Sequence, residues 1–437
     1  MDLLRNINGK PCDCGKDHIF PIDSIVSGKG VITQIASLVT NRLGCNKPYV
    51  VSDIHTYAAA GEQVCRLLAD ANVPYVSFVF PQESLEPDER TLGSAAMRMT
   101  ADCDCIIGVG SGVINDTCKI LSNISGKPYI IVATAPSMDG YASLTSSVTR
   151  DGLKISLSSR AADIILGDTD ILCQAPAKLM KSGLGDMLAK YVSIAEWRIA
   201  HLITGEYYCE TIADLIRQAL KRCTDNADGL LARDPAAVEA VFEGLVIGGV
   251  AMNYAGVSRP ASGGEHYLSH VWDMRAAEFG TPMDLHGIQC AIGTLISAKL
   301  YDKVKTITPD REKALAYVKS FDSEAWNETL RSFLGRSAES MIALEKKEGK
   351  YDVSKHEARL ARILANWDGI LAVVEEELPP AAEIERILTV IDAPKTMEDI
   401  GLSSDLLPLS FKATKDIRDK YVLSRLLWDL GVIEEMV

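Results

Sequence analysis

The chain has 437 residues, 47% of them hydrophobic and 24% charged, with a net charge of −14. That length exceeds what one hydrophobic core sustains, so two domains are expected, and the composition is that of a globular chain rather than a disordered one. The acidic balance argues against nucleic acid as a partner, because phosphate neutralisation needs a basic face, while a local pocket can still take a small phosphorylated ligand. Eleven cysteines without a regular framework suit a reducing compartment. No uninterrupted apolar run reaches the ~20 residues that cross a bilayer. The opening stretch MDLLRNINGKPCDCGKDH lacks a signal-peptide pattern, so a soluble, cytoplasmic protein without membrane insertion is expected.

Cys12-x-Cys14-Gly15 followed by His18 resembles half of a metal knuckle. The sequence offers no evident fourth ligand, and a turn carrying thiols is the plainer reading. Residues 1–175 alternate short apolar runs with amphipathic stretches, which predicts an α/β domain. The predicted strands are 48–52, 75–80, 105–109, 129–133 and 162–166, with helices over 57–70 and 89–100. Residues 143–159 show Ser/Thr/Val alternation around Asp151-Gly152, the signal of a hairpin or flap. From 176 to 437 the periodicity is helical, clearest at 184–203, 209–223, 236–255, 287–304, 357–367 and 381–391. The fold class predicted is a Rossmann-like α/β nucleotide-binding domain (1–175) followed by an all-α domain for metal and substrate (176–437).

In CDCIIGVGSGVINDTCKIL an apolar strand runs into Gly108-x-Gly110-Ser111-Gly112 and then into a helical pattern. Glycines there let a ligand approach the backbone, and the helix N-terminus offers unpaired N–H groups to a pyrophosphate. The spacing departs from the G-x-G-x-x-G fingerprint, so a plain tight turn is the competing reading. A second turn after the next strand, Thr134-Ala135-Pro136-Ser137-Met138-Asp139-Gly140, strengthens the cofactor reading. Neighbouring strand ends in an open α/β sheet are where nucleotides bind. Asp53 at the end of another strand either accepts from an adenosine ribose or caps the helix beyond it.

Only seven histidines occur, yet His266, His270 and His286 fall close together. His266 and His270 lie four apart in GEHYLSHVWDM, which puts both on one helical face; His286 opens another helix in DLHGIQ. Asp186, in GLGDMLAKY, adds a carboxylate. One Asp and two His suit a divalent ion with open coordination positions, although each residue alone is more often a cap or an ordinary surface or core group.

The stretches GSGVINDTCK, TAPSMDGYAS, GLGDMLAKY, SRPASGGEHYLSH and DLHGIQ together resemble the sn-glycerol-1-phosphate dehydrogenases, in their bacterial branch, within the iron-type alcohol dehydrogenase and dehydroquinate synthase superfamily. The resemblance implies a dehydroquinate synthase-like fold and metal ligation by Asp186, His266 and His286, with zinc or nickel as the ion. It implies NAD or NADP contacts from Gly110 and Ser111, from Gly112, Val113, Ile114, Asn115 and Asp116, from Thr134, Ala135, Pro136 and Ser137, and from Ser143. Asp139, His270 and Asp186 would face the substrate, with Asp186 and His270 the catalytic pair and His270 the proton relay. GVGSG stands where the superfamily commonly has GGGS. The implied activity is metal- and nicotinamide-dependent interconversion of dihydroxyacetone phosphate and glycerol 1-phosphate by a homodimer or larger oligomer. Arg259 is the preferred partner for the substrate phosphate, ahead of Lys154 and Arg160, and Lys190 either pairs with Asp186 or solvates its helix. A glycerol or simple-alcohol dehydrogenase, a dehydroquinate-synthase-like cyclase and a non-catalytic NAD sensor are the rival functions; the cyclase would carry Glu rather than Asp at the metal.

Overall fold

The computed structural model describes residue 4 and residues 7–19, 22–150 and 153–437. Among these, six strands form one wholly parallel sheet in the order β1-β8-β5-β4-β2-β3. The strands are β1 (Ser24–Gly28), β2 (Pro48–Asp53), β3 (Val76–Phe80), β4 (Cys105–Gly110), β5 (Tyr129–Ala133) and β8 (Ile164–Asp168). The runs CIIGVG, YIIVA and IILGD are buried throughout, as expected of strands covered on both faces. β6 (Thr145–Arg150) and β7 (Leu153–Ser158) pair antiparallel as the expected hairpin, with its Asp151-Gly152 turn outside the described residues. β1 escaped the sequence reading because SIVSG is short and only half-buried, an edge strand with little apolar signal. The last sheet strand lies two residues later than 162–166.

Helices of eight residues or more are numbered α1 (Glu62–Asp70), α2 (Glu89–Ala96), α3 (Gly112–Ser125), α4 (Ala177–Thr204), α5 (Glu210–Asp225), α6 (Pro235–Ala255), α7 (Gly264–Phe279) and α8 (His286–Val304). Further helices follow, from Arg311–Ser320 to Leu423–Asp429. The architecture is therefore a parallel α/β sheet followed by a helical C-terminal region.

The chain divides into two compact units rather than at a single cut after residue 175. One comprises Met1–Met187 with Asp214–Val257, the other Leu188–Ala213 with Ser258–Val437. Residues 235–255 belong with the sheet for a packing reason. Helix α6 is apolar nearly all round, and its Phe242 lies against β8, where a Cβ on Gly167 would stand 2.1 Å from the ring. By length and composition α6 could cross a membrane, yet most of it is buried, the mark of a core helix. Asp234 caps it, accepting from Ala236 and Ala237 N–H at 2.9 and 3.2 Å, with Pro235 in the first turn.

In the second unit the core is a helical cluster that includes Val192, Ala195, Tyr267, Trp272, Ile288, Ile292, Leu426 and Trp428. Gly293 of α8 sits against the carbonyl of Glu265 in α7, where a Cβ would come within 2.6 Å. That close approach sets the two histidine-bearing helices side by side.

Candidate active site

β4 and β5 run in register, Gly110 opposite Ala133, so the loops leaving them emerge together. The Thr134 N–H donates to Gly110 O at 3.1 Å and ties the two loops at their roots. Ser111 precedes α3 without any side-chain cap, so the first N–H groups of that helix keep their positive end open. A Cβ on Gly112 would meet nothing nearer than Met138 Cγ at 3.9 Å, which leaves the backbone approachable from that side. Ala135 O accepts from Tyr141 Oη at 2.6 Å, and Ser137 O from Ser182 Oγ at 3.0 Å. Gly183 in α4 is pressed so close to Pro136 that a Cβ would stand 1.8 Å from its carbonyl oxygen. Only glycine allows that approach, which fixes the second loop against α4.

A buried lysine that the sequence reading passed over organises the floor of this cradle. Lys119, fully buried on α3, donates to Gly140 O at 3.1 Å, Ser143 Oγ at 3.0 Å and Thr145 O at 2.5 Å, and pairs with Asp116 at 3.1 Å. Burial pushes the Asp116 carboxyl up, with Lys119 pulling the other way. Asn115 bridges Gly140 O at 3.0 Å and Tyr129 Oη at 3.1 Å. Asn115, Asp116 and Ser143, all expected to touch the cofactor, thus spend side-chain bonds on holding the loops. Their spacing carried a signal for this: Asp116 and Lys119 lie three apart on one helical face. Asp53 forms a capping box, its Oδ1 accepting from His55 N at 2.9 Å and Thr56 N at 2.8 Å. The cap reading of Asp53 is realised, and it uses one carboxylate oxygen. Asp186, fully buried on α4, accepts the Asp139 N–H on Oδ2 at 2.9 Å, which links the second loop to the expected metal carboxylate.

In the second unit His266 and His270 lie on one face of α7, and His286 is the first residue of α8. The His266 and His286 rings are 5.0 Å apart, and His270 lies 6.2 Å from His286. Glu265, fully buried, holds His266 Nδ1 at 2.7 Å and also accepts the Gly263 N–H at 2.7 Å. Ser269 Oγ is 3.3 Å from His286 Nδ1, and Gln289 Nε2 donates to that oxygen at 3.0 Å and to Asp273 at 2.9 Å. With both Nδ1 atoms engaged, Nε2 is the nitrogen each ring could offer to a metal, an arrangement that fits a ligating imidazole.

Cys290 joins the pair. Its Sγ is 3.6 Å from His286 Nε2, and the three ligand atoms of His266, His286 and Cys290 all lie within 4.8 Å of one another. Burial raises the Cys290 thiol, but the two imidazoles outweigh it and leave its pKa lowered. Behind Glu265 a second buried carboxyl, Glu196, accepts from Gly264 N at 2.7 Å and Leu423 N at 2.8 Å. Burial, then the charge of Glu265, pushes the Glu196 carboxyl up to about 8. None of these three was singled out from the sequence, although Cys290 stands four residues after His286 and Glu265 directly precedes His266.

The basic residues require correction. Arg259 is buried in a two-pronged pair with Glu206, Nε–Oε1 2.7 Å and Nη2–Oε2 2.5 Å, and donates Nη1 to Tyr421 O at 2.9 Å. A guanidinium committed in this way is a structural tie, which takes Arg259 out of the expected phosphate site. Arg160 pairs with Asp163 at 2.6 Å, and the Lys154 side chain lies outside the described residues. Lys190 is not a solvating residue: it is fully buried and donates to Ala261 O at 3.1 Å.

The family model for iron-containing alcohol dehydrogenases matches residues 26–176. The glycerol-1-phosphate dehydrogenase [NAD(P)+] of Geobacillus stearothermophilus is 30% identical over 383 residues, covering 87% of this chain and 91% of the relative. The chain belongs to the glycerol-1-phosphate dehydrogenase family. The enzyme of that name from Halalkalibacterium halodurans is 28% identical over 416 residues, 94% of each chain. The fold is that of iron-type alcohol dehydrogenases: the structure of sulfoacetaldehyde reductase from Bifidobacterium kashiwanohense with NAD+ superposes with a TM-score of 0.62 at 15% identity, covering 98% of this chain and 99% of that one. Residues 26–176, where the family model matches, include the parallel sheet apart from the first two residues of β1, and both cradle loops.

Proposed function

We propose that this chain catalyses the NAD(P)-dependent interconversion of dihydroxyacetone phosphate and sn-glycerol 1-phosphate, with Asp186, His266 and His286 holding a divalent ion, zinc or nickel. The observation that carries the reading is the pair of imidazoles, His266 and His286, each with Nδ1 engaged, in a chain whose relatives are named for this product. A carboxylate and two imidazoles leave coordination positions open, which fits a catalytic rather than a closed site. When bound, such an ion supplies Lewis-acid polarisation of the substrate oxygen, worth roughly several kcal/mol of charge stabilisation. A bound NAD(P) would supply the hydride donor or acceptor.

The residues of the chain do the rest. The uncapped start of α3, with the backbone of Gly110, Ser111, Gly112, Val113 and Ile114, receives the pyrophosphate. Thr134, Ala135, Pro136 and Ser137 wall the nucleotide, in a loop that Gly183 and Ser182 hold still. The cap on Asp53 leaves Oδ2 for an adenosine ribose hydroxyl. Asp139 and Asp186 orient the substrate, and a ring N–H of His270 delivers the proton to its carbonyl oxygen in the reducing direction.

The test is NADH oxidation with dihydroxyacetone phosphate, after dialysis against chelator and after adding back Zn²⁺ or Ni²⁺, with chiral analysis of the product. Activity should vanish and return with metal. Full activity in rigorously metal-free protein, or turnover of glycerol in place of the phosphorylated substrate, would overturn the reading.

A further inference from the structure

Cys290 is left out of the ligand set proposed above, yet its surroundings are not those of an ordinary core thiol. Cys223, also buried, spends its thiol on Ala240 O at 3.2 Å. The wholly buried Cys290 meets imidazole nitrogens instead, its Sγ 3.6 Å from Nε2 and 3.9 Å from Nδ1 of His286. His286 and Cys290 stand four apart on α8, which puts both on one face of its first two turns. Gly293, pressed against the Glu265 carbonyl, draws α8 onto α7 and so brings His266 to the same place. The ligand atoms of all three residues lie within 4.8 Å of one another, and all three belong to one compact unit.

A tetrahedral zinc with ordinary bond lengths sets a bound nitrogen and a bound sulfur ~3.6 Å apart. Cys290 Sγ already stands at that separation from His286 Nε2. Its 3.9 Å from Nδ1 shows that the sulfur lies beside the ring, so ligation turns the imidazole or the thiol about one side-chain bond. A single S–H···N bond would satisfy the thiol with one imidazole; the fold supplies two.

We propose that Cys290, as a thiolate, is a further ligand of the ion held by His266 and His286. The inference rests on the metal-dependent reading above and adds the class of ion that the site prefers. A sulfur beside two imidazole nitrogens is a soft set, which favours zinc or nickel over magnesium or manganese. Zinc can take a fifth ligand, so a substrate oxygen still finds a position. Binding releases the thiol proton to solvent and changes no oxidation state.

The test uses the full chain, freed of metal and loaded with one equivalent of Co²⁺. A Cys12→Ser/Cys14→Ser background removes the thiol 3.4 Å from His18, and its neighbour, as a second source of sulfur ligation. The loaded protein should show visible cobalt bands together with thiolate-to-cobalt absorption in the near ultraviolet. Cys290→Ser and Cys290→Ala should each lose the near-ultraviolet band while keeping bound cobalt. Should those variants fail to fold, X-ray absorption at the zinc edge decides in the background protein: a sulfur shell at ~2.3 Å is expected. Visible cobalt bands and metal-dependent turnover without the near-ultraviolet band, a band that survives Cys290→Ser, or a zinc shell of nitrogen and oxygen alone overturns the inference and leaves the metal reading standing. No bound cobalt and no metal-dependent turnover overturns both.

Discussion

The loops beyond β4 and β5 and the histidine faces of α7 and α8 use their polar groups in opposite ways. In the first, side chains turn inward: Lys119, Asn115 and Ser143 bind one another's loops, and what is offered outward is backbone, the uncapped start of α3. In the second, the side chains themselves converge: the rings of His266 and His286 lie 5.0 Å apart, and the buried carboxyl of Glu265 stands behind His266. A nucleotide read by backbone tolerates changes in side chains that merely hold the loops, as long as the loops stay put. A metal read by side chains tolerates none. The same lesson explains Arg259, a conspicuous charge in a motif that proves to be a strut.

That contrast can be broken most sharply at a ligand. His266→Ala should lower turnover by ~10³-fold or more while NADH affinity, followed by fluorescence, changes by no more than a few fold. An equal collapse of NADH binding would mean that the two regions are not separable. Next in size is Lys119→Met, which strands Asp116 and two carbonyls. The loss should be ~3–5 kcal/mol in urea unfolding, with weakened NADH binding as the loops loosen. Glu265→Gln should weaken metal affinity by ~10–100-fold, measured by competition with a chromophoric chelator, and leave NADH affinity unchanged.

Glu196 sharpens the comparison through pH. Its folded pKa, about 8, lies above its ordinary 4.5, so in that interval the unfolded chain releases a proton that the folded one keeps. The contribution to stability is complete below about 4.5 and is lost as pH rises through about 8. The melting temperature should therefore decline over that window, and Glu196→Gln should flatten the decline; an unchanged slope in the variant would refute the assignment. The smallest effect is expected at Asp53. Asp53→Ala should cost ~0.5–2 kcal/mol through the lost cap. Asp53→Asn, which keeps the cap, should shift the NAD to NADP preference only if the ribose contact is made.

Much of the fold was legible because periodicity is local. The runs at β4 and β5 and the long helices α6 and α8 came within a residue of their bounds, since each buries apolar residues at its own period, whereas α4 begins seven residues before the expected 184. β1 was not legible, because an edge strand half in solvent needs few apolar residues. Nor was the membership of α6, whose apolar surface states that it is covered but not by what. At the sites, histidine spacing four apart on α7 was readable as one face, whereas the roles of Glu265, Glu196, Cys290 and Lys119 were not.

Sequence alone therefore determined the order of the elements, the glycine-rich turn at the end of β4 and the types of ligand the chain can offer. Tertiary structure decided which polar groups face one another: Glu265 behind His266, Lys119 beneath the loops and Glu206 around Arg259. The reason is range. Backbone periodicity and turn chemistry act between residues a few positions apart, while the cost of burying a charge or a thiol is met only by whichever distant group the folded chain brings within ~3 Å.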